Sequence, residues 1–192
     1  MTLGGNSATL LMSGHGLLAV CSVLYLVWWI IFFRPQASKV TGALYYFGAG
    51  CLVVAALAGI AGAVLVGMGI SGAGKANLSP SGWWFAIGAV IVYIALVLLT
   101  TRVFHRPVTT ELVLFVAWSA LELAMIATLA SVNALSVTSS TLLGTLVIVL
   151  FVGMLICYLL YFHLAPLPSF IDGAIPLVAV GVFSIGMIAL IA

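Results

Sequence analysis

Charge is what this sequence has least of. Of 192 residues, five are Lys or Arg and three are Asp or Glu, whereas a soluble domain carries charge on about a quarter of its positions. So few charges cannot keep a folded surface of this size in water, which excludes a soluble globular protein. Polar residues in general are too scarce for a disordered chain. Disordered segments are poor in aromatics, and this one holds ten Phe, six Tyr and five Trp, with 66% of all residues hydrophobic. Cysteine is sparse as well. Cys21, Cys51 and Cys157 lie far apart inside apolar runs, without CxxC or Cys/His spacing that would hold a metal or frame a disulfide set. Each reads as a small hydrophobe.

Other absences narrow the function. A formal net charge of +2 without a basic patch gives no footprint for nucleic acid. Neither HExxH nor GxSxG occurs, there is no close pair of Asp residues, and His15, His105 and His163 are widely separated. An enzyme needs a nucleophile with its base, a metal cluster or convergent carboxylates, so enzymes are the least supported class and no cofactor or metal site is expected. No run of the TVGYG kind is present, so a potassium-type filter is not supported.

What is there is apolar sequence, with a mean hydropathy of +1.43. Polar or Pro/Gly-rich connectors at 34–42, 71–82, 101–111, 131–141 and 163–173 divide it into six apolar segments, about 10–33, 43–70, 83–100, 112–130, 142–162 and 174–192. Each approaches the roughly 20 residues with which an α-helix crosses the hydrocarbon of a bilayer. Period-2 alternation, the mark of a membrane strand, does not run through them. The expected fold is all-α: one transmembrane domain of six helices in three hairpins, with no soluble domain, in the plasma (cell inner) membrane. Met1 to Ser13 lack the basic start of a signal peptide, so the first apolar run is expected to remain as an anchor.

The basic residues orient the bundle. Arg34, Lys39, Arg102 and Arg106 occupy the connectors after the first and third helices, against Lys75 alone on the other side. The positive-inside rule puts the first set in the cytoplasm and both ends of this chain outside. The odd helices also end alike, in Phe32-Phe33-Arg34-Pro35, Phe104-His105-Arg106-Pro107 and Phe162-His163-Leu164-Ala165-Pro166. An interfacial aromatic, a basic or titratable residue and a helix-stopping proline explain the pattern without common ancestry.

On the second helix Ala55, Gly59, Ala63 and Gly67 recur every fourth residue, with Ala58 and Gly62 in an adjacent row. Ridges of small residues let helices approach closely in lipid, so this helix is expected at the bundle centre or at an interface with a second copy or a partner subunit.

One charge resists explanation by topology. Glu122 falls near the middle of the fourth apolar run, where a carboxylate costs at least about 2.5 kcal/mol. Every Lys and Arg lies in a connector or at a helix end, so Glu122 is expected to be protonated, hydrogen-bonded by neutral groups or exposed to a water-filled cavity. At about 100° per residue Glu111, Trp118, Glu122 and Asn133 share one face, the two acids about 16 Å apart. Such a stripe reads as the lining of a pathway or ligand cavity. The plainer readings stand beside it: Glu111 as a helix N-terminal acid, Trp118 as core, Asn133 as an end cap, and Glu122 as an interhelical link to Tyr93 on the third helix. His15, Ser22 and Trp29 recur every seven residues along the first helix and form another face, expected to be packed or interfacial. Asp172 is expected to precede the sixth helix as an N-terminal dipole partner.

The function these features favour is a small channel or carrier for a small uncharged or cationic solute, proton-linked through Glu122. The alternative is a membrane-embedded substrate-binding or structural subunit of a multi-component transporter or larger membrane complex. In size and span count the chain resembles the substrate-binding components of energy-coupling-factor vitamin importers, and also the small urea and amide channels. Both likenesses are of architecture alone and carry over no residue. For orientation, a cysteine replacing Lys75 should react with an impermeant thiol reagent from outside, and one replacing Ala37 only from inside. The reverse pattern would overturn the charge argument.

Overall fold

All regular structure in the described residues is α-helical. The computed structural model describes residues 4–35, 39–73, 80–103 and 110–192. Its helices are α1 (Gly5–Phe33), α2 (Gly42–Ala73), α3 (Pro80–Arg102), α4 (Thr110–Ser131), α5 (Val137–Leu160) and α6 (Pro166–Ile191). Five of them, α1, α2, α4, α5 and α6, are long and apolar enough to cross a membrane, and α3 holds a shorter apolar stretch, Ile87–Arg102. Along α2 the side chains of Val53, Leu57, Ile60, Val64 and Met68 are each more than half exposed. An apolar face of that extent is stable against lipid and not against water. The chain is an all-helical multi-pass membrane protein.

The helix ends show why connectors read from composition are too long. Ser136 caps α5: its hydroxyl oxygen accepts the backbone N–H of Ser139 at 3.0 Å, so a serine-rich stretch expected as connector through Thr141 becomes the first turn of a helix starting at Val137. The sixth helix was expected from residue 174 but begins at Pro166. Pro166 and Pro168 fall in the first turn, where the N–H groups that proline lacks would have no helical partner anyway. α4 closes on Asn133, which adopts φ 57°. Its N–H bonds Ala130 O at 3.0 Å and that of Ala134 bonds Leu129 O at 2.8 Å, the paired bonds of a Schellman cap. Lys75, His105 and Arg106 lie outside the described residues.

The chain divides into two compact units, one of Met1–Ser7 with Ile70–Leu155 and the other of Ala8–Gly69 with Ile156–Ala192. In the first, α3 packs on α4, and Leu123 of α4 meets α5 where Gly144 presents no side chain, 3.9 Å from the place a Cβ would take. α4 is its most enclosed helix, with 44% of its apolar stretch buried. Leu112, Val116, Ser119, Glu122, Ile126 and Leu129 form its buried stripe, spaced three or four residues apart as one helix face requires.

In the second unit α1 and α2 run antiparallel, touching successively at Leu11 and Gly69, Gly14 and Gly62, Cys21 and Gly59, and Phe32 and Gly48. At the Gly14–Gly62 crossing the helices meet backbone to backbone. A Cβ on Gly14 would lie 2.9 Å from Gly62 O, and one on Gly62 would lie 2.9 Å from Gly14 O. The buried row of α2 is Gly48, Cys51, Ala55, Ala58, Gly62, Val66 and Gly69. Of the ridge expected from sequence, Ala55 is in this row, Gly59 faces Cys21, and Ala63 and Gly67 are half-buried beside it. Nothing comes within 4 Å of a Cβ placed on Gly67. Gly62→Ala should therefore cost about 1–3 kcal/mol through overpacking, read as a lower thermal midpoint in detergent. Gly67→Ala should stay within about 0.5 kcal/mol of the parent. Equal effects at both positions would show that the close approach is not what holds this pair.

Candidate functional site

Among the described residues, each unit buries polar side chains. In the first unit Glu122 is fully buried (0% exposed) in the middle of α4. Trp118, one turn earlier, is buried on the same face, and so is Ser119, whose hydroxyl donates to Phe115 O of its own helix at 2.8 Å. Met125 and Ile126, one turn later, are buried and apolar. The acid is thus held in an enclosed stripe flanked by an indole on one side and hydrocarbon on the other. Glu111 is half-buried in the first turn of α4, where a carboxylate complements the helix dipole. Tyr93 on α3 is half-buried. Asn133 stands past the last residue of α4, exposed, in the left-handed conformation that closes the helix. The structure keeps Glu111, Trp118 and Glu122 on one helix, while Asn133 lies beyond the end of that face.

In the second unit the seven-residue face of α1 is buried: His15 is 0%, Ser22 6% and Trp29 9% exposed. Its partner is α6. The Ser22 hydroxyl donates to Leu177 O, and the Trp29 indole N–H donates to Phe170 O at 3.0 Å. Glycines on α6 make the room. A Cβ on Gly181 would lie 2.8 Å from Ser22 Oγ, and one on Gly173 would run into the Trp29 ring. Around that ring sit Phe33, stacked at 4.3 Å between centroids, and Tyr161 at 5.7 Å. His15 turns Nδ1 to Leu11 O of its own helix, 2.8 Å away. The sequence carries the α1 half of this seam as a spacing of seven. It carries no comparable signal for the α6 half, because the acceptors there are backbone carbonyls and the seats are glycines.

Asp172 belongs to this seam and was not anticipated in it. Because α6 starts at Pro166, Asp172 lies beyond the first helical turn and is 8% exposed. The Cys157 thiol near the end of α5 lies beside its carboxyl group. Pro176, four residues on and buried, has no N–H to give the Asp172 carbonyl. Ser184, further along α6, is also fully buried.

Among the described residues no group of three or more His, Cys, Asp or Glu could hold a metal ion. No family model, curated protein or solved structure matches this chain. Gly173→Ala should displace the Trp29 ring and lower the thermal midpoint, whereas Gly186→Ala, whose Cβ would meet nothing within 4 Å, should not. Equal midpoints for the two variants would mean that the indole is not seated on Gly173 in the membrane.

Proposed function

We propose that the protein moves a small uncharged or cationic solute across the membrane, with Glu122 as the group that binds the solute or an accompanying proton. The observation that carries this reading is the complete burial of a carboxyl group in the middle of a membrane-crossing helix. An ionisable side chain is costly there and is retained mainly on substrate, ion or proton routes. Trp118 supplies a wall on the same face, Glu111 an acid toward one mouth, Tyr93 of α3 a phenol beside the route, and Asn133 an amide at its far end.

In this arrangement α3 is the sixth span, since 23 residues extend about 34 Å as an α-helix. The helices form three hairpins, with Arg34, Lys39 and Arg102 on the cytoplasmic side and both ends of this chain outside. The membrane is the plasma (cell inner) membrane.

A second reading, a binding or structural subunit of a larger membrane complex, draws on α2. Ala63 and Gly67 are only half-buried next to the buried row, leaving a strip narrow enough for another helix, from a second copy or a partner, to approach closely.

Purified protein in liposomes separates the two. A thermal-shift screen over ions, amines and neutral solutes should identify a stabilising ligand. Glu122→Gln should then slow its movement by about tenfold or more, which corresponds to roughly 1.4 kcal/mol of lost interaction, with folding intact. Wild-type rates in Glu122→Gln at every pH would remove Glu122 from the mechanism. Failure of every ligand, together with stoichiometric co-purification of another membrane protein, would favour the subunit.

A further inference from the structure

The Asp172 carboxyl has no role in the reading centred on Glu122, and its surroundings are not those of a structural link. Helix-dipole compensation acts on the first turn, and no acid lies in the first turn of α6. Asp172 is more than nine-tenths buried. The Cys157 thiol, a weak donor, lies beside the carboxyl group. The carboxyl oxygen Oδ2 is buried with no hydrogen-bond partner among the described residues.

Stronger donors lie near in the fold but are committed elsewhere. The Trp29 N–H goes to Phe170 O at 3.0 Å, and the Ser169 hydroxyl goes to Tyr161 O at 2.7 Å. A site built to keep a permanent carboxylate would turn such donors toward it, because hydrogen bonds to the charged form are what favour that form. Here they serve carbonyls instead. Pro176 adds another acceptor without its helical donor, the Asp172 carbonyl. This stretch of α6 therefore has acceptors in excess and is short of a donor.

We propose that Asp172 is a second membrane-embedded proton-binding site, taking up a proton at Oδ2 with the Cys157 thiol beside the carboxyl group. The occupant is a proton and not a metal ion because of the oxygen count. Hard cations such as Ca²⁺ and Mg²⁺ require six or more oxygens, whereas Asp172 offers its free carboxyl oxygen and its carbonyl. A proton needs one lone pair. It arrives from hydronium in bulk water, forms an O–H bond at Oδ2 and leaves by the reverse step. No other bond breaks, and the Cys157 S–H remains intact. The titratable or charged groups on the elements around the site are His15, Cys21 and Tyr25 of α1 with Arg34 just after it, and Cys157 and Tyr158 of α5 with Tyr161 and His163 in the connection that follows. α6 has no other titratable side chain. Neither Arg34 nor Asp172 forms an ion pair among the described residues, and Arg34 is exposed.

Infrared spectroscopy of the whole protein in lipid nanodiscs, titrated with pH, tests the site directly. A protonated-carboxyl C=O band should vanish on going alkaline, be missing in Asp172→Asn and persist in Glu122→Gln. The Cys157 S–H stretch, identified by its loss in Cys157→Ala, should shift in frequency with the same midpoint. Cys157→Ala should also move the midpoint of the Asp172 band. If Asp172→Asn does not fold, the shared midpoint in the parent and its displacement in Cys157→Ala still decide the matter. An S–H band that stays fixed through the titration would overturn the proposal. Loss of the carboxyl band at constant pH, when choline chloride is replaced by sodium or potassium chloride, would overturn it in favour of a metal ion. Because Glu122→Gln is carried in parallel, failure of the transport reading and failure of this site give different spectra.

Discussion

The backbone-to-backbone approach of α1 and α2 at Gly14 and Gly62 is the contact on which the second unit depends. In hydrocarbon, burying leucine against leucine gains little over leaving each in lipid, so helices associate through close packing and polar contacts. With a carbonyl 2.9 Å from each missing Cβ, the two helices come as near as their main chains permit. The pairs on either side, Leu11 with Gly69 and Cys21 with Gly59, follow from that one crossing. With one face of α1 fixed, the adjoining face of His15, Ser22 and Trp29 is buried in turn, and α6 answers Ser22 and Trp29 with Leu177 O, Phe170 O, Gly173 and Gly181.

Polar atoms inside the spans are used in two ways. Most satisfy themselves locally: Thr100 bonds Leu96 O, Ser119 bonds Phe115 O and Thr128 bonds Ala124 O, all within one helix. Such hydroxyls cross a bilayer at little cost and specify nothing about neighbours. Ser22 and Trp29 instead reach another helix, and they fix which residues of α6 lie opposite α1. Glu122 and Asp172 are acids and not hydroxyls or indoles. Both carboxyl groups are buried on their helices.

The fold class was legible from composition, and the helices from the lengths of the apolar runs. Their ends were less so, for a definite reason. Ser136, Ser139, Pro166 and Pro168 belong to residue types common in loops, yet the same types start helices, and only the bonds they make distinguish the cases. Asp172 was misplaced by the same error, since its position depends on where α6 begins. Glu122 stood out because a lone acid in an apolar run needs no partner to be noticed. The α2 packing row was half visible: small residues occur along two adjacent rows, and Leu11, Leu18 and Phe32 on α1 select the one through Gly62. Their choice depends on the three-dimensional crossing and leaves no periodic trace.

The bonds of Ser22 and Trp29 join residues 155 and 141 positions apart, linking α1 to α6. During synthesis, α1 enters the bilayer long before Leu177 and Phe170 exist as acceptors. Until α6 is made, an indole N–H and a hydroxyl on α1 face lipid or a temporary neighbour. A polypeptide cut short before Pro166 would lack both acceptors and would present the polar face of α1 unpaired with α6 within the membrane.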